Sequence, residues 1–173
     1  MKTPSVCLVL FLLSASLSAP AFAQDEGLGG GSRSGSVFAE GSVARTGQGA
    51  GYVWGGSAGA YIQGRVLGLV ARATVLPGNT SIHVYDAVIG PRLAVSLPFV
   101  RAWVEAGGGM GYTGGYLSSS SAWGAAWQAD AGVSHGILPR LDWRILEIGY
   151  GHIYSGSGVS PVMASTGLTL HIW

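Results

Sequence analysis

The residues with the greatest chemical potential lie between Glu147 and Ser155, where an acid, a histidine and a serine fall close together. His152 could act as general base on the Ser155 hydroxyl, with Glu147 orienting the imidazole, which is the equipment of acyl transfer. The spacing argues against it. In an extended strand Glu147 and His152 differ by an odd number of positions and point to opposite faces. Ser155 falls in the Gly- and Ser-rich stretch Tyr154–Ser160, which reads as a loop. An interfacial histidine beside a loop serine is the preferred reading, and no residue is assigned a catalytic role. His83, His135 and His171 stand apart, without the spacing of a metal site. The run Gly107–Gly111 (GGGMG) has closely spaced glycines, but no helix follows to make a phosphate loop. There is no zinc motif and no G-x-S-x-G elbow. The expectation is a protein with no cofactor, no metal and no enzymatic site.

A second group of residues carries charge rather than reactivity. Glu40, Arg72, Asp86, Arg92, Arg101, Glu105, Asp130 and Glu147 are isolated charges of both signs, spread along the chain. What could hold them follows from composition. Of 173 residues 48% are apolar and 10% charged, well under the usual quarter for a soluble domain, and glycine reaches 30. A disordered chain would be more polar. Beyond the first 23 residues no apolar run approaches the length of a spanning helix. The net charge is +1 and the arginines lie singly, so nucleic acid is not an expected partner.

Residues 1–23 read as a cleavable secretory leader: Lys2, an apolar stretch from Val6 to Leu17, and the small-x-small site Ala21-Phe22-Ala23. Cys7, the only cysteine, sits inside the apolar stretch and is not placed for lipidation. Residues 24–34 form a Gly-rich flexible lead-in.

From residue 35 to residue 173 the chain divides into segments with period-2 character, read as strands over 35–44, 52–63, 65–76, 83–96, 99–112, 122–135, 140–153 and 161–172. One face is apolar, as with Leu67, Leu69, Ala71, Ala73 and Val75, or Val100, Ala102, Val104 and Ala106. The other carries Gly, hydroxyls and the eight charges named above. The segments are long for a soluble sheet and match the residues needed to cross a bilayer as tilted strands. Gly64, Leu97-Pro98 and Gly136–Pro139 make tight connections, which alternate with the longer Arg45–Gly51, Pro77–Ile82, Thr113–Ser121 and Tyr154–Ser160. That alternation suits an even-stranded barrel with both ends of the strand series in the periplasm. The expected fold is all-β, a closed antiparallel eight-stranded up-and-down transmembrane barrel.

A soluble barrel hides its apolar face, whereas a membrane barrel turns it outward. The only lysine is Lys2, so the polar face lacks the lysine-rich character of a solvated wall. The charges are therefore expected inside, as a network filling a closed interior with Tyr61 and Trp103, beside inward glycines that leave room for them. Arg144 has the parity of the apolar face and is expected to snorkel at a strand end. Arg65, Arg140 and Asp142 share that parity beside tight turns. Trp54, Phe99, Tyr112, Trp123, Trp143, Tyr154 and Trp173 fall near strand ends, as interfacial belts would.

These features together resemble the small outer-membrane β-barrel proteins of the OmpA/OmpX type, the group sometimes called the outer membrane protein beta-barrel domain. The resemblance is carried by the leader, the strand series, Val88-Ile89-Gly90-Pro91-Arg92, Ala106-Gly107-Gly108-Gly109 and Arg144-Ile145-Leu146-Glu147-Ile148-Gly149-Tyr150. The ending, with Leu168, Leu170, Ile172 and Trp173, resembles the strand read by the barrel-assembly machinery, although Trp173 follows Ile172 out of phase. The resemblance implies an outer-membrane location, contact with outer-membrane lipid including lipopolysaccharide, delivery by that machinery, and a monomer with a structural, adhesion or lipid-interacting role and no open pore. Two alternatives stay open. One is a lipid-modifying barrel resembling the lipid A deacylases, which carry His-x-Ser where this chain has His152 and Ser155. The other is a soluble secreted barrel that binds a ligand.

Overall fold

A computed structural model describes residues 33–46, 51–77, 83–114, 122–155 and 158–173. The expected leader, nearly all of the Gly-rich lead-in and parts of the four longer connections lie outside these residues. The described chain is eight strands: β1 (Ser34–Arg45), β2 (Tyr52–Gln63), β3 (Leu67–Leu76), β4 (His83–Ser96), β5 (Arg101–Gly114), β6 (Ala122–Leu138), β7 (Leu141–Tyr154) and β8 (Val162–His171). Each pairs antiparallel with the next, and β8 returns to β1, which closes the barrel. Closure leaves no strand edge unpaired, so backbone amides are satisfied within the sheet.

The alternation sets the wall. Along β4, Val84, Asp86, Val88, Arg92 and Ala94 are buried, while Ala87, Ile89, Pro91, Leu93 and Val95 are exposed between them. The side of the sheet that points outward is the aliphatic one. Leu69, Val104 and Leu170 are 51%, 48% and 50% exposed, whereas Arg92 and Glu105 are 2% and 5% exposed. Along the described strands the outer wall carries charge only at Arg45, the last residue of β1.

Glycines on the inner face let large side chains fill a narrow barrel. A Cβ on Gly132 would lie 2.5 Å from the Trp103 ring and 2.9 Å from the Leu146 carbonyl oxygen. One on Gly111 would lie 2.7 Å from Ile153 Cδ1. Gly132→Val is therefore expected to lower stability by about 1–3 kcal/mol through overpacking, read as a lower urea midpoint at unchanged slope.

One register feature changes the strand parity. Ser134 pairs with Arg144 and Val133 with Leu146, so Ile145 is an extra residue on β7. The β7–β8 ladder skips at the same place, between Arg144–Gly167 and Glu147–Ser165. This bulge moves every β7 residue on its turn side to the opposite face. Arg144 therefore does not snorkel outward, as its parity predicts, but is 1% exposed and points inward. Asp142 is carried inward by the same slip, whereas Arg65 and Arg140 stay exposed in their turns.

Candidate functional site: the charged interior

The inward side chains form three layers. At the loop end Val53, Leu76, Val84, Ile153, Val159 and Met163 pack with Ala44 and Ala126 into an apolar plug, with Leu76 fully buried. The alternation had suggested a polar interior throughout. No single strand signals the plug, because each of seven strands contributes only one of its residues and Val159 comes from the β7–β8 connection, so only closure brings them together.

Below the plug lies the charge cluster. Arg72 on β3 is bonded to Glu147 of β7 and, at 2.5 Å, to Glu105 of β5. It also lies 3.4 Å from Asp130 of β6 and 3.8 Å from Glu40 of β1. Arg92 on β4 donates to the other Glu105 oxygen at 2.5 Å. Arg144 pairs with Glu40 and, at 2.7 Å, with Glu147. Gln128 donates to Asp130 at 2.8 Å. Aromatic planes cover the guanidinium groups. Arg92 lies 4.2 Å from the Tyr61 ring and 4.4 Å from Trp103, and Arg144 lies 4.3 Å from Phe38 and 4.0 Å from Trp103. These side chains are 7% exposed or less. In so dry a setting each charge costs several kcal/mol to desolvate, and multiple partners are needed to offset that cost.

Six of the eight expected interior residues thus meet in one cluster: Glu40, Arg72, Arg92, Glu105, Asp130 and Glu147. Arg144 joins them through the bulge. Asp86 is buried but stands outside the ion pairs, opposite Thr74 and nearer the loop end. Arg101 is not in the cluster either. Its side chain is 35% exposed at the turn-end rim, 3.9 Å from Asp142 and 3.4 Å from the Ser96 hydroxyl. It is the first residue of β5, too far toward the turn to reach the centre.

The rim is the third layer. The Ser36 hydroxyl lies 2.8 Å from Nδ1 of His171, and Nε2 of that ring lies 2.9 Å from Asp142. The connectivity is that of a serine–histidine–aspartate relay, but Ser36 is 2% exposed, which shuts the hydroxyl off from a substrate. Its physical effect is to tie β1, β8 and β7 together at the seam of the barrel. No signal in the sequence linked residues so far apart.

The histidine and serine nearest to acyl-transfer chemistry part company. Ser155 points inward, 3% exposed, and shares a 2.5 Å hydrogen bond with Thr113. His152 faces the outer wall, with Nδ1 2.7 Å from the Ser160 hydroxyl and its ring edge-on to Tyr154 at 4.4 Å. Glu147 belongs to the interior cluster. Of the expected assembly signal, Leu168 and Leu170 point outward from β8, and Ile172 donates its amide to the Gly35 carbonyl at 2.8 Å. Trp173 lies past the strand, where a Cβ on Gly35 would fall inside its indole.

Neither a protein-family profile nor a curated protein sequence matches the chain. Solved structures do. Neisserial surface protein A (NspA) superposes with a TM-score of 0.60 at 16% identity, covering 82% of this chain and 99% of its own. The chain has the fold of the small eight-stranded outer-membrane β-barrels. The N-terminal barrel domain of Pseudomonas aeruginosa OprF follows with a TM-score of 0.54 at 18% identity, covering 79% of this chain and 97% of that domain. Ail, the attachment invasion locus protein of Yersinia pestis, reaches 0.47 at 15% identity, covering 81% of this chain and 97% of its own. At these identities the likeness is one of architecture, and function must be argued from the wall and interior of this barrel.

Proposed function

We propose that this protein is an integral outer-membrane barrel, exported by a leader over residues 1–23 and inserted as a monomer by the barrel-assembly machinery. Its role is structural, adhesive or lipid-interacting rather than enzymatic. The observation that carries this reading is the reversed barrel: an uncharged aliphatic wall around a charged, packed interior. A water-soluble monomer rarely exposes apolar patches beyond a few hundred Å². Aromatic girdles flank the wall. Tyr85, Tyr112 and Trp123 stand in contact at the loop end, with ring centroids 6.0 and 5.4 Å apart, and Trp143 and Trp173 lie at the turn end. An outer depression of about 500 Å³, lined by Leu93, Val104, Ala106, Ala129, Ile148 and Tyr150 among others, suits an acyl chain of outer-membrane lipid, lipopolysaccharide included. The plug over the cluster, with Leu76 and Arg92 almost wholly buried, supports a barrel with no open pore.

Membrane fractionation and heat-modifiable gel migration test the reading together. The expected result is sedimentation with the outer membrane and faster migration of unboiled protein. Recovery in the aqueous fraction without detergent, with one band whether boiled or not, would favour the soluble ligand-binding alternative. The lipid-modifying alternative now rests on the His152–Ser160 contact alone, since Ser155 and Glu147 point elsewhere. Lipid A from cells expressing the protein is expected to show the same mass spectrum as lipid A from cells expressing His152→Ala. A wild-type spectrum missing an acyl chain would reverse that judgement.

A further inference from the structure

The short turns share a composition that the opposite end of the barrel lacks. Arg65 and Val66 are exposed together between β2 and β3. Leu97 and Phe99, the latter 82% exposed, precede Arg101 between β4 and β5. Ile137 and Leu138, the last residues of β6, are 51% and 61% exposed close to Arg140 in the turn to β7. Arg33 is exposed just ahead of β1 at the same end. At the loop end, Arg45 is the only exposed arginine among the described residues, and the four long connections between strands contain no Lys, Asp or Glu. The exposed positive charge is therefore polarised to the turn end. Among the described residues the one acid at that rim is Asp142, which is already engaged by His171 at 2.9 Å.

Turns tipped with large apolar side chains are poorly suited to bulk water, and arginines are poorly suited to hydrocarbon. The layer that accommodates both is the boundary between headgroups and acyl chains, where arginine stems lie along apolar surface and guanidinium groups reach phosphate. In an up-and-down membrane barrel the short turns face the periplasm. We infer that the turn end binds anionic phospholipid headgroups of the periplasmic leaflet: Arg65 and Arg140 pair with phosphates, while Val66, Phe99, Ile137 and Leu138 dip beneath them. Guanidinium suits this task through its planar, bidentate match to phosphate. The inference rests on the outer-membrane reading above.

The test is the association of spin-labelled phosphatidylglycerol, compared with spin-labelled phosphatidylcholine, with the purified protein reconstituted in phosphatidylcholine vesicles. Selectivity for phosphatidylglycerol of at least about two-fold is expected at low ionic strength. It should decline toward parity at about 0.5 M salt as the charges are screened. Arg65→Gln/Arg140→Gln is expected to remove most of the selectivity while heat-modifiable migration persists. Arg65→Lys/Arg140→Lys should retain much of it, and Arg45→Gln should leave it unchanged. Equal association of the two lipids with inserted wild-type protein would overturn this inference alone. So would selectivity that survives the double glutamine change. Failure of the wild type to insert would overturn the membrane reading as well.

Discussion

Arg72→Met is expected to remove about 3–5 kcal/mol of unfolding free energy, a large share of what a domain of this size possesses. Arg72 is bonded to Glu147 and Glu105 and lies within 3.8 Å of Asp130 and Glu40, with a side chain 1% exposed. Methionine would fill similar space, but four carboxylates would be left sharing Arg92 and Arg144. The loss would therefore come from stranded charge in a dry interior rather than from a cavity. Urea unfolding followed by tryptophan fluorescence in detergent micelles measures it. Arg101→Met supplies the contrast. That side chain is 35% exposed and its nearest carboxylate is 3.9 Å away, so the expected cost is below about 1 kcal/mol. Arg72→Met combined with Glu147→Gln should cost less than the sum of the single changes, because the second change removes one stranded charge. A loss under about 1 kcal/mol for Arg72→Met would mean that the cluster is not what holds the strands in place.

The second large effect concerns the other side of the wall. Ile89 sits midway along β4 and is 56% exposed. In a bilayer Ile89→Arg should cost about 2–4 kcal/mol, the expense of a guanidinium at mid-depth. On a water-facing barrel the same exposed position would tolerate arginine within about 0.5 kcal/mol. Phe99→Arg, at the rim, should cost no more than about 1 kcal/mol in the same vesicles. Comparing the two variants by unfolding in phospholipid vesicles thus measures depth as well as exposure. Equal, small costs for both would show that Ile89 does not face hydrocarbon.

Much of the architecture was legible because β alternation is a local signal with a fixed period. All eight strands lie where alternation and turn chemistry placed them, with edges shifted by a few residues, the most at the C-terminal end of β6. The absence of lysine beyond Lys2 and the runs of single apolar residues were enough to tell which face was aliphatic. The same pattern put Arg72, Glu105 and their partners on the polar side, and closure of the sheet then aimed them at one another.

What only the tertiary structure decided depends on neighbours distant in sequence. Parity counted from one end of β7 put Arg144 and Asp142 on the wrong face, because the extra residue at Ile145 exists only in relation to the registers of β6 and β8. The apolar plug, the Ser36–His171–Asp142 clamp and the parting of His152 from Ser155 likewise depend on which strands meet across a closed interior. A strand's own residues determine that it alternates and which side is greasy. They do not determine where a one-residue slip falls, since that is set by the combined pairing energy of two ladders and the volume left by side chains from the other strands.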